Sequence, residues 1–271
     1  MPARTLPAWL AAIVAAALPL AAQSEPPGTG PWIARQIQDR DTGRDSRLEM
    51  KMRLVDRHGR VRERQLDFVS FRGTENGRRA DRLLMRFKYP ADIRRTGFLV
   101  IEHPAADDER FLYLPALGRV RRIAGEEKQD SFVGSDFTYE DMGGRELDDY
   151  TYKTLEDSVT WTSPSGERRP AWKLESRARD ANATYPRVVS TVLKDIFVVV
   201  SAESFNRRDE VVKQFEVRSL RQVSGIWTAL ELAMRNLRDR TSTDLSVTKA
   251  EYNVGLKEAD FSRRALEQDA R

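Results

Sequence analysis

The sequence predicts a mainly β protein, an antiparallel sheet that curls on itself. Three observations carry that: apolar and polar residues alternate with a period of two through most of the chain, turn signals recur at short intervals, and one stretch alone reads clearly as a helix. No shift in composition divides the chain, so residues 23–271 read as a single domain. With 271 residues and 40% apolar side chains, the chain can bury a sizeable core.

Residues 1–22 precede that domain. Arg4 is followed by the apolar run Ala8 to Ala22 and then by the polar QSEPPGTG, which is the order of a secretory signal peptide. The other reading is an uncleaved anchor, but the run falls short of the roughly 20 apolar residues of a spanning helix, and Pro19 interrupts it. Cleavage near Ala22 places the mature chain in a bacterial periplasm. No cysteine follows the run to take a lipid, and with no cysteine anywhere the fold has no disulfide, thiol nucleophile or thiolate metal site.

The mature chain opens on a helix from Pro31 to about Arg40, with proline at its first turn and Trp32, Ile33 and Ile37 on one face. Leu48, Met50, Met52 and Leu54 then alternate with Glu49, Lys51 and Arg53, as in a half-buried strand. The turn Asp56-Arg57-His58-Gly59 returns the chain into a second strand, Val61 to Phe71, in which Leu66 and Phe68 share a face. Arg82 to Tyr89 places Leu84 opposite Met85 and Phe87, and Gly97 to Ile101 is a further strand. After these come Arg110 to Leu114, with Leu112 and Leu114 on one face, a turn at Pro115-Ala116-Leu117-Gly118, and Arg119 to Ile123.

The segment Ser131 to Glu140 is the densest in the chain, mixing Phe132, Phe137 and Tyr139 with Asp136, Glu140 and Asp141 around Gly134. Such a composition suits neither a solvated loop nor a core strand, and it implies that specific packing holds the segment. The later strands are Tyr150 to Leu155, Ser158 to Thr162, Ala171 to Ala178, Arg187 to Lys194, Phe197 to Phe205, Val211 to Val223, Trp227 to Asn236 and Ser242 to Tyr252. Turns such as Ser163-Pro164-Ser165-Gly166 and Asn206-Arg207-Arg208-Asp209 separate them.

A curled sheet either fills its interior or encloses a cavity. The inward set Met50, Met52, Leu54, Phe68, Met85 and Phe87, extended by Leu112 and Leu114, suits an adaptable apolar pocket and a plain core alike. Arg119 and Arg121 fall on one face of their strand, with Val120 and Arg122 on the other, so an arginine points to the side that should be apolar. Two readings stand: a headgroup site at the mouth of a cavity, or an internal ion pair with Asp136, Glu140 or Asp141.

Charge excludes little by its balance and more by its distribution. The chain has 46 basic and 42 acidic residues, interspersed without a basic block, which argues against nucleic acid as a partner. His58 and His103 are the only histidines and both sit in turn-like contexts, so a histidine triad or multi-histidine metal site is not in view. Adjacent acids such as Asp107-Asp108, Glu126-Glu127 and Asp148-Asp149 point to opposite faces or into solvent, which speaks against paired-carboxylate catalysis. The reading is a non-enzyme without a cofactor.

The runs FLYLPALGRVRRI, SFVGSDFTYEDM and YNVGLKEADFSRRAL, with FKYPADIRRTGFLVIE and the Gly225-Ile226-Trp227-Thr228 lead-in to a late strand, resemble the outer membrane lipoprotein-sorting-like proteins of the LolA/LolB superfamily. That resemblance spans nearly the whole mature chain. It implies a half-open, incomplete antiparallel barrel, with the N-terminal helix and short helical lid segments across the concave face. It also implies an apolar interior for lipid or lipoprotein acyl chains, no catalytic residues, transient membrane contact, and an RND-type inner-membrane transporter as partner. The rival expectation is a non-catalytic envelope scaffold or exporter accessory with a filled core.

Overall fold

The computed structural model describes residues 25–144 and 146–268, so the signal peptide expected over residues 1–22 lies outside the described residues. Helix α1 (Gly30–Asp39) comes first, followed by the long hairpin β1 (Asp45–Val55) and β2 (Val61–Phe71) and the small hairpin β3 (Thr74–Glu75) and β4 (Arg78–Arg79). Then come β5 (Arg82–Tyr89), β6 (Gly97–Ile101), β7 (Glu109–Leu114) and β8 (Arg119–Arg122). A connection containing α2 (Tyr139–Gly143) leads to β9 (Tyr150–Thr162), β10 (Arg168–Ala178), β11 (Arg187–Leu193), β12 (Val199–Phe205), β13 (Val211–Val223), β14 (Ile226–Asn236) and β15 (Thr241–Tyr252), and α3 (Arg263–Glu267) follows.

Thirteen of these strands form one antiparallel sheet in the order β8-β7-β6-β5-β2-β1-β15-β14-β13-β12-β11-β10-β9. Its edges β8 and β9 do not pair with each other, so the barrel is half open. Beside the central strand β15 lies the β1–β2 hairpin, whose register sets Leu48 opposite Phe68 and Met50 opposite Leu66. Phe68 and Leu66 are in turn opposite Met85 and Phe87 of β5, so the alternation read from the sequence becomes one continuous apolar face. β9 corrects one expectation. Tyr150–Thr162 is a single strand rather than two, because irregular pairing opposite Lys173 absorbs the polar Glu156-Asp157 without ending the ladder.

The connection between the sheet edges covers part of the interior. Phe132 is 0% exposed, and its ring lies 5.8 Å from Phe87, 5.5 Å from Phe98 and 5.6 Å from Tyr139, centroid to centroid. The chain reverses at Val133 and Gly134, both left-handed, at φ 49° and 75°, so that the Phe132 amide reaches the Phe137 carbonyl at 2.8 Å. A β-branched residue is strained there; Arg64 Nη1, from the buried face of β2, donates to the Val133 carbonyl and holds it. Asp136 fixes the far side of the loop, where its carboxylate accepts hydrogen bonds from the hydroxyls of Thr241 and Thr243, and Lys213 Nζ donates to its carbonyl at 2.6 Å. This is the specific packing that the composition of Ser131 to Glu140 called for.

Helix α1 begins one residue earlier and ends one residue earlier than the sequence indicates. It opens against β9, where a Cβ on Gly30 would lie 2.6 Å from the Lys153 nitrogen. Ile33 packs with Trp172, Leu174 and Val192, and the far end is held by Arg72 and Arg79, which donate to the carbonyls of Arg40 and Gln38. Ten helical residues reach only about 15 Å; spanning from β9 to the β2–β5 connection with so short an element requires a strongly curled sheet.

The outer face of β5–β7 is also buried, which the alternation did not reveal. Leu84, Leu99 and Phe111 pack under Phe261 and Leu266, and Gly97 is small because Leu266 Cδ1 would sit 2.6 Å from any Cβ. The segment after β15 therefore folds back as a patch on the convex wall. Removing the central ring of the inner plug tests how much it supports. Phe132→Ala should destabilise the fold by about 3–5 kcal/mol and lower Tm by roughly 10 °C, read by calorimetry against an Asp148→Ala control on the surface.

Candidate functional site

The plug stops short of the middle of the sheet. Beyond Phe137 and Met142 lies an open recess of about 370 Å³. Met50, Phe68 and Met85 form one wall, Phe215, Trp227 and Leu232 the other, and Leu245 and Val247 lie between. Its walls are thus built by period-two alternation on the central strands and by two side chains of the plug. The end nearest α1 is polar: the Ser46 and Ser70 hydroxyls meet at 2.7 Å, those of Thr228 and Tyr252 at 2.7 Å, and Arg40 and Thr42 complete the rim. A second hollow of about 480 Å³, beside Lys128, Glu140 and Arg179, has mixed polar walls unsuited to hydrocarbon.

The expected pocket residues divide between these surroundings. Met50, Phe68 and Met85 line the recess. Met52, Leu54, Phe87 and Leu112 are buried in the packed core with Phe132, and Leu114 lies partly buried against it. Phe215, Trp227, Leu232 and Met142 were not singled out in the sequence, although the alternation of Val211 to Val223 and Trp227 to Asn236 carried the signal for three of them. The basic strand and the acids of the plug take separate partners. Arg121 Nη1 pairs with Glu127 Oε1 at 2.8 Å and lies beside the Tyr139 hydroxyl. Arg119 and Arg122 are exposed. Asp136 is held by the two threonines, Glu140 Oε1 accepts from the Tyr150 hydroxyl at 2.8 Å, and Asp141 accepts from the Thr138 amide at 2.9 Å in the capping box of α2, whose N-cap is Thr138.

The buried arginine of this edge is Arg110, 1% exposed and facing inward from β7. It binds Asp108 at 3.1 Å, Glu146 at 3.2 Å and the Gly144 carbonyl at 3.2 Å, so it clamps the segment leaving the plug. The acidic pair Asp107-Asp108 was its only trace in the sequence. Close by, Glu102 accepts the Asp81 amide at 3.0 Å. Burial, with Asp81 and Asp108 near, pushes the Glu102 carboxyl up to about 7. His58 is exposed in the β1–β2 turn, and His103 lies 3.3 Å from Glu75 and 3.6 Å from Glu109; neither lines the recess.

Comparison with known proteins places this architecture. An outer membrane lipoprotein-sorting protein domain from Vibrio parahaemolyticus is 29% identical and superimposes with a TM-score of 0.78, covering 88% of this chain and 98% of its own. A DUF1329 family protein from Desulfovibrio piger is 28% identical, with a TM-score of 0.77 and coverage of 88% and 97%. The model of an uncharacterized protein family matches residues 79–268, well over half of the chain. The chain belongs to that family, and it resembles outer membrane lipoprotein-sorting and DUF1329 proteins. A LolA superfamily protein from Nitrosomonas europaea shares the fold at 14% identity, with a TM-score of 0.65 and coverage of 88% and 99%. No curated protein matches the sequence. For this lipoprotein-sorting-like chain, the half-open barrel expected from the resemblance is the observed fold.

Glu102 supplies a pH test. Its pKa is raised above the unfolded value, so protonation favours the folded state: the contribution is full below about 4.5 and is lost as pH rises through about 7. Glu102→Gln should therefore remove part of the fall in stability between those two values. Unfolding midpoints of the variant and parent, measured from pH 4.5 to 8, should diverge progressively in favour of the variant as pH rises.

Proposed function

We propose that this protein is a periplasmic carrier that holds the acyl chain of a lipid or lipoprotein in the recess between β1, β2 and β14 and moves it between the inner and outer membranes. The observation that carries this reading is the recess itself, an apolar trough of about 370 Å³ within the size range of small-molecule sites. Its walls are methionine and aromatic side chains, which adapt to a flexible chain. Likeness, at 29% identity, to a protein described as an outer membrane lipoprotein-sorting domain supports the assignment.

Burial of hydrocarbon is the working force. Each CH₂ withdrawn from water contributes about 0.8 kcal/mol, so a long chain leaves spontaneously only very slowly. Loading and release then require contact with a membrane or with a partner such as an RND-type transporter of the inner membrane. No nucleophile, metal or cofactor enters this task. The second reading, an envelope scaffold or exporter accessory, draws on the other half of the interior, where Met52, Phe87, Phe98 and Leu112 pack solidly against Phe132.

Two substitutions distinguish the halves. Phe68→Glu puts a carboxylate on the wall of an open recess, where water can reach it. That variant should stay folded by circular dichroism and lose about tenfold or more in affinity for a fluorescent acyl probe. Met52→Glu puts the same group at a position 1% exposed and should unfold or strongly destabilise the protein. Native mass spectrometry of the parent should show bound lipid; a lipid-free parent that also fails to bind the probe would favour the scaffold.

A further inference from the structure

The polar end of the recess contains an uncompensated cation. Arg40 follows α1 and lines the recess with Leu48, Met50 and Tyr252. Among the described residues no carboxylate lies within ion-pair distance of its guanidinium, and its side chain has no hydrogen-bond acceptor. The neighbouring arginines sharpen the imbalance. Arg79 is neutralised by a forked contact with Asp81. Arg72 spends Nη2 on the Arg40 carbonyl at 2.7 Å and on Thr42 Oγ1 at 2.9 Å, while its buried Nε has no partner.

A positive group against an apolar wall is unfavourable unless an anion meets it. Burial holds the Arg40 guanidinium below its ordinary pKa, and the like charges of Arg79 and Arg72 add to that, while Tyr252 and Asp41 act in the opposite sense. Asp41 acts only at a distance, since its Oδ1 accepts from the Gly43 amide at 2.9 Å within the turn after α1 and it forms no ion pair with Arg40. The hydroxyl pairs Ser46–Ser70 and Thr228–Tyr252 stand at the same end. A cation, hydroxyl groups and a hydrocarbon trough in sequence are the complement of an amphiphile with an oxyanion at its head.

We propose that Arg40 is the counter-ion of a lipid headgroup, and that the recess takes acyl chains ending in a carboxylate or a phosphate, with the chain lying along Met50, Phe68 and Trp227. This rests on the carrier reading and narrows it. The acyl chains of a lipoprotein are joined by uncharged ester and amide links and bring no such anion, so a free fatty acid or an acidic phospholipid is the better-matched cargo.

The test is displacement of a fluorescent acyl probe at pH 8 by palmitate, by methyl palmitate of the same chain length, and by palmitoyl lysophosphatidate. In the parent, at least one of the two anions should bind about tenfold or more tightly than the ester, the scale of a charge-assisted hydrogen bond. Which of them does so identifies the headgroup as carboxylate or phosphate. Arg40→Met keeps the apolar stem of the side chain without its charge and should erase that preference while leaving ester binding and Tm unchanged; Arg40→Lys should retain most of it. Equal binding of acid, phosphate and ester by the parent overturns the assignment and leaves the carrier intact, as does an Arg40→Met variant weakened equally toward all three. A parent that none of the ligands, nor the probe itself, can bind overturns both.

Discussion

The open seam between β8 and β9 is the constraint around which this molecule is arranged. A sheet that does not close leaves its concave face exposed, and apolar surface on that scale has to be covered. The chain uses the connection between the two edges for this purpose, so that covering the interior and joining the sheet ends are one task. Phe132 fills the space over Phe87 and Phe98, and Asp136 ties the loop to β15 on the opposite side of the interior. Arg64 and Arg110 are buried charges that hold backbone carbonyls of this segment at either end, Val133 and Gly144. Each would be costly alone; each is placed where the irregular backbone of the plug needs a donor.

The plug covers only part of what the sheet leaves open, and the rest is the recess. The two halves of the interior are made of the same residue types from the same strands. Met52 and Met50 alternate on β1 two residues apart, yet one is in packed core and the other on the wall of a trough. What separates them is the reach of Phe137 and Met142, the last plug side chains over the sheet. The extent of the recess is accordingly set by the length of the connection rather than by the composition of the strands.

This also explains what the sequence could and could not disclose. The strands were legible because Leu48, Met50, Met52 and Leu54 repeat at the period of a pleated sheet, and Val61–Phe71 and Val211–Val223 have the ends that alternation and turn residues indicate. The short helices α2 and α3, five residues each, were not, since five residues carry no resolvable helical period. Leu84, Leu99 and Phe111 look outward from their strands, and only the return of Phe261 and Leu266 from far along the chain buries them. Methionine spacing marked the inward face of the sheet but not the division between core and recess. Arg40 looked like an ordinary basic residue at the end of a helix; its surroundings come from β1, β14 and β15, which are distant in sequence.

The C-terminal patch on β5–β7 makes the two walls of the trough mechanically unequal. That wall is sandwiched, with the plug on its inner side and Leu266 on its outer side, and Leu99 between them is 0% exposed. Among the described residues the facing wall, β13 and β14, has no C-terminal patch behind it, and its ladder is interrupted between Val217 and Leu220 opposite Leu232 and Ala229. The recess is therefore lopsided in thickness: behind Met85 the sheet has a second apolar layer, Leu84 and Leu99 under Leu266, while the β13–β14 side carries charged Glu216 and Arg218 beside its ladder break.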